Sequence, residues 1–311
     1  MDFGNIVKIN KLQMVEMNTN TAELLQQMID IKRDMRAAIG NKGVTVVSGM
    51  ESYPSAIDSI QTTIIEGDTK LPDGTKFSNS TFTSVPFFDT SAMTDMSSMF
   101  YNCSNLTSVP LFDTSNVTTM KGMFYSCDNL TSVPQFDTSK VAIMQEMFSG
   151  CSNLTSVPQL DTSKVTNMGD MLYGCNKLLS IPQFDTSKVT SMSEMFRYCD
   201  SLNSVPTLNC GSSKSCSYMF ASCPNLENIG GLIDYGKSVY SANHMDSQMF
   251  YDCHKLTRQS CINIFNTIYD RGANGMDVLT LYFETEVFRE LLPEDIAIAT
   301  NKGWSIAALS N

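Results

Sequence analysis

The sequence has few of the residues that catalytic sites and nucleic-acid interfaces use. It contains two histidines and one tryptophan. Its 21 lysines and arginines are outnumbered by 32 aspartates and glutamates, which gives a formal net charge of −11. A protein that binds duplex nucleic acid needs a basic surface to neutralise phosphates, and adhesion to anionic lipid needs one as well. We therefore expect no nucleic-acid partner.

Long apolar runs are also missing. Since no run of about 18 or more apolar residues occurs, the sequence predicts no insertion into a membrane. The first residues carry an acidic side chain, Asp2, and no apolar segment of signal-peptide length follows it. We expect synthesis in a cytoplasm without an export signal, where ten cysteines are more often reduced thiols than disulfides.

Motifs for phosphate binding and nucleophilic catalysis are absent as well. Neither G-x-x-x-x-G-K-[ST] nor G-x-G-x-x-G occurs, and no serine or cysteine lies in a catalytic motif. The two histidines are His244 and His254. We therefore expect a protein that is not an enzyme and that uses no cofactor.

An internal repeat of 24 residues dominates the sequence. One unit reads L-T-S-V-P-x-F-D-T-S-x-V-T-x-M-x-x-M-F-x-x-C-x-x, and its proline, methionine and cysteine keep their spacing through six units. A single unit buries too little apolar surface to fold alone, whereas stacked units cover one another's faces. The repeat predicts an α/β solenoid whose turns each contain a short extended segment, a corner and a short helix.

The helical part of the unit is expected to point into the core. Met96, Met99, Phe100 and Cys103 have the spacing i, i+3, i+4 and i+7, which is one face of a helix. A buried free cysteine behaves as a small hydrophobe, and the cysteines between residues 199 and 223 lack C-x-x-C spacing, so we predict structural thiols and no metal site. The predicted core ladder is Met99, Met123, Met147, Cys103, Cys127, Cys151, Cys175, Cys199 and Cys223.

An aspartate column recurs at the corner of the unit. We expect each carboxylate to accept hydrogen bonds from local backbone N–H groups and threonine hydroxyls. The alternative is calcium bridging between neighbouring turns, because calcium prefers oxygen ligands. The column consists of Asp89, Asp113, Asp137, Asp161 and Asp185.

The position after the Met-Phe pair is the candidate binding surface. It holds tyrosine or arginine in four units, and aligned tyrosine and arginine side chains suit contact with a protein or a glycan. Alternatively, these side chains only cover the outer face of the solenoid. The candidate residues are Tyr101, Tyr125, Tyr173 and Arg197.

The unit resembles the leucine-rich repeat of BspA-like bacterial surface proteins, in its F-D-T-S-x-V-T-x-M-x-x-M-F-x-x-C form. The resemblance covers about Phe77 to Leu256 and implies a right-handed leucine-rich-repeat solenoid. Members of this family often act as adhesins or ligand-binding surfaces. The resemblance therefore implies a binding surface without identifying its ligand.

The region after the repeat predicts a helix-bearing cap that shields the open end of the solenoid. Leu281 and Ile306 lie 25 residues apart, which is close to one repeat period. Before the cap, an insertion at Ile233–Asn243 is expected to project as a loop. The predicted elements of the cap are helices at 258–269, 287–292 and 293–300 and strands at 279–283 and 304–306.

The N-terminal region predicts a helix from Thr21 to Ile39, capped by Asn20 and ended by Gly40. Its apolar residues form a short heptad seam, which suits pairing with other chains in a homo-oligomer. The alternative is an amphipathic helix docked on a neighbouring domain. The seam consists of Leu24, Met28, Ile31, Met35 and Ala38.

The next segment, from Gly43 through Tyr53 to Ile64, resembles a short segment of phage tail and baseplate proteins. This resemblance implies attachment to other virion proteins through the N-terminal region. Four regions are therefore predicted: an attachment and oligomerisation segment at 1–40, the tail-like segment and a linker at 41–76, the solenoid at 77–256 and the cap at 257–311.

These observations predict a non-enzymatic bacteriophage virion protein, such as a tail fibre, a baseplate appendage or a head decoration. Its solenoid would bind a host surface or a neighbouring protein, and its location would be the virion. One alternative is a bacterial cell-surface adhesin of the BspA-like type. The other is a purely structural assembly protein.

Overall fold

The computed structural model describes residues 73–85, 88–238 and 248–309. All of them belong to one compact unit that spans Ile60–Asn311. The predicted seam at residues 24–38 and the tail-like segment at residues 43–64 lie outside the described residues.

Successive repeats stack so that equivalent residues pair. Parallel strand β1 (Ser204–Val205) lies beside β3 (Asn228–Ile229), and β2 (Leu208–Asn209) lies beside β4 (Leu232–Ile233). Every partner is 24 residues away, so the sequence repeat is also the structural repeat of a solenoid. We call the stack of repeats before the cap the ladder. Single parallel bridges continue the pairing along it, at Ser84–Ser108, Asp95–Thr119, Thr119–Ile143, Ile143–Asn167, Asn167–Ser191, Ser180–Ser204 and Ser191–Ser215.

The Met-x-x-Met-Phe-x-x-Cys stretch is not helical, so the predicted short helix is wrong. Met99 and Cys103 donate their N–H groups to carbonyls three residues back, which makes single turns. Ser98 and Asn102 instead donate to carbonyls of the next repeat, at 2.8 and 2.6 Å. Both residues have positive φ, 56° and 57°, which a continuous helix does not allow. Bonds between repeats therefore replace the i→i+4 bonds of a helix.

The interior of the ladder is made of columns of apolar side chains. The predicted core methionines and cysteines are all fully buried. Phe124 lies between Phe100 and Phe148, with ring centroids 5.6 and 5.7 Å apart and nearly parallel planes. The column is interrupted at Leu172 and resumes at Phe196. Because each ring packs on the turns before and after it, every turn depends on both neighbours.

The predicted insertion does not project at its first residues. Ile233 ends β4, which still pairs with the preceding repeat. Tyr235 is buried and stacks on Trp304 at 5.5 Å between ring centroids. The prediction is wrong here because the chain first completes another ladder turn. Residues 239–247 lie outside the described residues.

The C-terminal cap contains the predicted kinds of element. Strands β5 (Leu279–Phe283) and β6 (Trp304–Ala308) pair in parallel with Leu281 opposite Ile306, so the cap adds a pair of strands close to the repeat period. Phe283 stacks on Phe250 of the last ladder turn at 5.1 Å, which closes the phenylalanine column. None of the helices in the described ranges has the length and apolarity needed to cross a bilayer. The elements are α1 (Arg258–Thr267), β5 (Leu279–Phe283), α2 (Thr285–Arg289), α3 (Pro293–Thr300) and β6 (Trp304–Ala308), so the second helix begins earlier than the sequence predicted.

Candidate functional site

The predicted binding residues do not form one continuous stripe. Tyr101 and Tyr125 stack on each other with ring centroids 4.6 Å apart. The same position in the next repeat is Ser149, which is buried. Beyond this break, Tyr173 meets Tyr198 edge to face at 5.4 Å. The surface therefore carries a tyrosine pair and a second group further along the ladder.

The second group is centred on Arg197, and we call Tyr173, Arg197, Tyr198 and Tyr218 the Arg197 cluster. The guanidinium carbon of Arg197 is 4.8 Å from the ring centroid of Tyr198 and 4.7 Å from that of Tyr218. Its Nη1 donates to Glu194 at 2.9 Å, and its Nη2 donates to the Tyr198 hydroxyl at 3.1 Å. Cation–π contacts and a charge-assisted hydrogen bond thus hold the guanidinium in one orientation between two rings.

Sequence reasoning missed Tyr198 and Tyr218. Equivalent positions elsewhere in the ladder hold asparagine, serine, glycine or an acid, and their backbone has positive φ. Tyr198 and Tyr218 adopt φ of 61° and 55° as well, which is unfavourable for a bulky side chain. Such outliers concentrate at functional sites. The available signal was an aromatic residue at a position that is otherwise small or polar.

An acidic column lies beside the cluster. Glu146, Asp170 and Glu194 occupy the same position in successive repeats. Burial and, to a smaller extent, the charges of Glu194 and Glu146 raise the pKa of Asp170 to about 6, whereas Arg197 acts in the opposite direction. Asp170 is therefore a carboxyl group whose ionisation works against folding at neutral pH.

Asp170→Asn is expected to stabilise the protein at neutral pH and not at low pH. The folded-state pKa lies above the ordinary pKa of an aspartate, so the stability that Asp170 contributes is fully present below about pH 4 and is lost as the pH rises through about 6. After allowance for solvent screening of a half-exposed group, we expect roughly 1 kcal/mol, or about 2–4 °C in Tm, at pH 7.5. Calorimetry of variant and wild type between pH 4 and 7.5 measures the difference.

The control is Asp161→Asn, since hydrogen bonds from the Ser163 side chain and backbone lower the pKa of Asp161. Its carboxylate contributes stability above the unfolded-state pKa, so this substitution is expected to lower Tm at neutral pH. Parallel behaviour of the two variants with pH would contradict the assignment of Asp170.

The aspartate column is satisfied by local hydrogen bonds. Asp137 accepts the N–H of Ser139 at 3.0 Å, and Asp113, Asp161 and Asp185 each accept the N–H two residues further on. Among the described residues, the threonine hydroxyls bind backbone groups and not the carboxylates of Asp113, Asp137, Asp161 and Asp185: Thr114 donates to the carbonyl of Asp137 at 2.8 Å, and Thr90 and Thr138 make equivalent bonds. The expectation of threonine partners is therefore wrong, because the threonine side chain faces the next repeat.

The cysteine column bonds from one turn to another. Cys151 Sγ donates to the carbonyl of Phe124 at 3.1 Å, and the thiols of Cys127, Cys175 and Cys223 make equivalent bonds. All ten cysteines are free and buried. Burial raises the pKa of the Cys127 thiol to about 12. Nucleophilic or metal-binding thiolates are therefore disfavoured in this column.

Comparison with known proteins gives a family and two similar structures. The family model described as "Mycoplasma protein of unknown function, DUF285" matches residues 74–178 and 152–264. A leucine-rich repeat protein of T. pallidum is 20% identical over 53% of this chain and 71% of that chain, with a TM-score of 0.38. A leucine-rich cell surface protein of Faecalibacterium prausnitzii is 16% identical over 74% of this chain and 77% of that chain, with a TM-score of 0.20. No curated protein matches the chain. The family match includes the whole Arg197 cluster.

Proposed function

Since the chain belongs to the DUF285 family, for which no function is described, we propose that its solenoid is a non-enzymatic adhesion scaffold that binds a protein through the Arg197 cluster. The observation that carries this proposal is the guanidinium of Arg197 held between the rings of Tyr198 and Tyr218. Both tyrosines take backbone conformations that disfavour large side chains. Folding alone does not account for tyrosine at these two positions.

The side chains that recur in every unit are used in folding, so binding depends on the positions that vary between units. The methionine, phenylalanine and cysteine of each unit are buried in the ladder, and the aspartate of each unit is engaged in a turn. Tyr101 and Tyr198 are each 37% exposed, and both occupy positions that vary between units. A ligand of the ladder therefore meets the variable side chains, and the Arg197 cluster groups three tyrosines and an arginine from adjoining turns among them.

A protein partner fits the chemistry of the cluster. Tyrosine and arginine are the residues that most often dominate protein interfaces, and their contribution is largest where they are held in place before binding. Arg197 is held by Glu194 and by two rings, so little side-chain entropy remains to be lost when a partner binds. The net charge of −11 favours partners whose contact surface is not strongly acidic.

The setting we propose is the surface of a bacterial cell rather than a virion. The matching family model describes proteins of a bacterial genus, and none of the matches reported above is a virion protein. The residues on which the virion interpretation depended, 1–64, lie outside the described residues. Homo-oligomerisation through the seam at 24–38 is part of the same proposal, because several copies would bind a surface more tightly than one.

The double variant Tyr198→Ser and Tyr218→Ser is expected to lose binding and keep its fold. Serine occupies the equivalent positions of other units, at Ser126 and Ser98, with positive φ. We expect Tm to be unchanged or higher and affinity to fall at least about 10-fold, as for loss of interface anchors. The full chain is tested for binding on an array of purified cell-surface and extracellular proteins, with a glycan array in parallel.

The matched control is Tyr251→Ser, which removes an exposed tyrosine from the position that holds Arg197 in the ladder. It is expected to bind as the wild type does. Binding confined to the glycan array would overturn the choice of a protein partner. Equal binding by the double variant, or the absence of any bound protein, would overturn the adhesive role of the cluster.

A further inference from the structure

A second group of polar side chains lies where the last ladder turn meets the cap. His254 and Asp252 belong to the ladder turn, whereas Glu284 and Glu286 lie at the junction of β5 and α2. One ligand atom from each of His254, Glu284 and Glu286 lies within 4.8 Å of the others. We call these four residues the junction cluster. The cluster brings together side chains that are thirty residues apart in sequence.

The imidazole of His254 is oriented for binding an ion. Its Nε2 is 2.8 Å from Oδ1 of Asp252, and because an ionised carboxylate only accepts, Nε2 carries the proton. In the neutral imidazole Nδ1 then carries the lone pair, and this nitrogen lies 3.7 Å from Oε2 of Glu286, which is too long for a hydrogen bond. Two ligands about 2.0–2.1 Å from a tetrahedral zinc ion lie about 3.3 Å apart, so this gap is close to that of a coordinating pair.

The negative charge of the three carboxylates in the cluster also favours binding of a cation. Glu284 is only 7% exposed, and its Oε1 accepts the N–H of Asp252 at 2.6 Å. Within the described ranges, the imidazole of His254 is the only basic side chain at ion-pair distance from these three carboxylates. Bringing like charges together with a buried carboxylate is unfavourable unless a cation compensates them.

We propose that His254, Glu284 and Glu286 bind one divalent transition-metal ion of the zinc class. Asp252 acts as a positioning residue that holds the imidazole, as carboxylates do behind metal-bound histidines. A nitrogen ligand with two carboxylates suits zinc better than calcium or magnesium, which take oxygen ligands in larger or more hydrated shells. The sequence predicted no metal site because these side chains form no motif. The ion would join the cap to the end of the ladder.

The test uses the full chain, freed of metal with a chelator and titrated with Zn²⁺ and Co²⁺. We expect one ion per chain by calorimetry, a visible absorption band for bound Co²⁺ and a Tm raised by roughly 5 °C or more at saturating Zn²⁺. Glu286→Gln is the key variant, because Glu286 is exposed and its Oε2 lies 3.7 Å from Nδ1 of His254. It is expected to bind Zn²⁺ at least about 10-fold more weakly, and Asp252→Asn about 10-fold more weakly.

The control is Glu294→Gln, which removes the same charge from an exposed position of α3 outside the cluster. Its Zn²⁺ affinity is expected to equal that of the wild type. Absence of Zn²⁺ binding by the wild type would overturn the proposal. Unchanged affinity in Glu286→Gln, or equal affinity for Ca²⁺ and Zn²⁺, would overturn it as well.

Discussion

Phe124→Ala is expected to lower the free energy of unfolding by about 4 kcal/mol, near the middle of the range for buried phenylalanine. The side chain is fully buried and packs between Phe100 and Phe148, at 5.6 and 5.7 Å between ring centroids. It also stacks on Phe136 at 6.3 Å. The substitution therefore leaves a cavity and removes ring contacts on both sides of one turn. Equilibrium unfolding in urea, followed by circular dichroism, measures the loss.

Two comparisons separate this effect from a general loss of aromatic surface. Tyr125→Ser changes the neighbouring residue on the outer face, where its stacking on Tyr101 is lost, and we expect a cost of about 1 kcal/mol or less. Phe196→Ala is expected to cost less than Phe124→Ala, because Leu172 rather than a ring lies in the preceding repeat. Equal losses for Phe124→Ala and Tyr125→Ser would contradict the view that the inner column holds the ladder together.

The repeat period and the inward positions of the ladder could be predicted from the sequence, because a buried side chain recurs wherever a turn recurs. The local conformation could not. Apolar residues spaced as Met96, Met99, Phe100 and Cys103 suit a helix, but they also suit a chain of single turns. The distinguishing signal lies between them: Gly122 and its counterparts, apart from Tyr218, are small or polar residues with positive φ, which interrupts a helix.

The functional positions were harder to predict than the fold, because they depend on which side chains meet across turns. Tyr173 and Arg197 were predicted from their common position in the unit. Tyr198 and Tyr218 belong to two other positions, and only the spacing between turns brings their rings onto Arg197. The junction cluster was harder still to predict from the sequence. Glu284 comes close to His254 because β5 continues the stacking of the ladder, and no motif in the sequence indicates this.

Arg271→Ala is expected to detach the C-terminal cap and to cost about 3–5 kcal/mol, because two carbonyls lose a charged donor and a large buried side chain leaves a cavity. Arg271 is 1% exposed, and burial lowers the pKa of its guanidinium. Its Nε donates to the carbonyl of Asp277 at 2.7 Å, its Nη1 donates to the carbonyl of Gly236, and its charge lies 5.9 Å from the ring centroid of Trp304. Alanine leaves both carbonyls without this donor and opens a cavity beside the ring. Limited proteolysis is expected to cleave the cap of the variant, at residues 258–309, while the ladder resists.

The control for charge is Arg289→Ala, because Arg289 is exposed on α2, and its proteolysis pattern is expected to match that of the wild type. Arg271→Lys tests geometry, since one ammonium group cannot reproduce the planar fork that reaches two carbonyls, and a partial loss of stability is expected.

A detached cap also uncovers Phe250, which otherwise stacks on Phe283. An open ladder end presents apolar rings and unpaired backbone groups to other chains, so Arg271→Ala is expected to self-associate in light scattering. A variant that stays monodisperse and protease-resistant would show that the cap is held by β5 and β6 without the buried arginine.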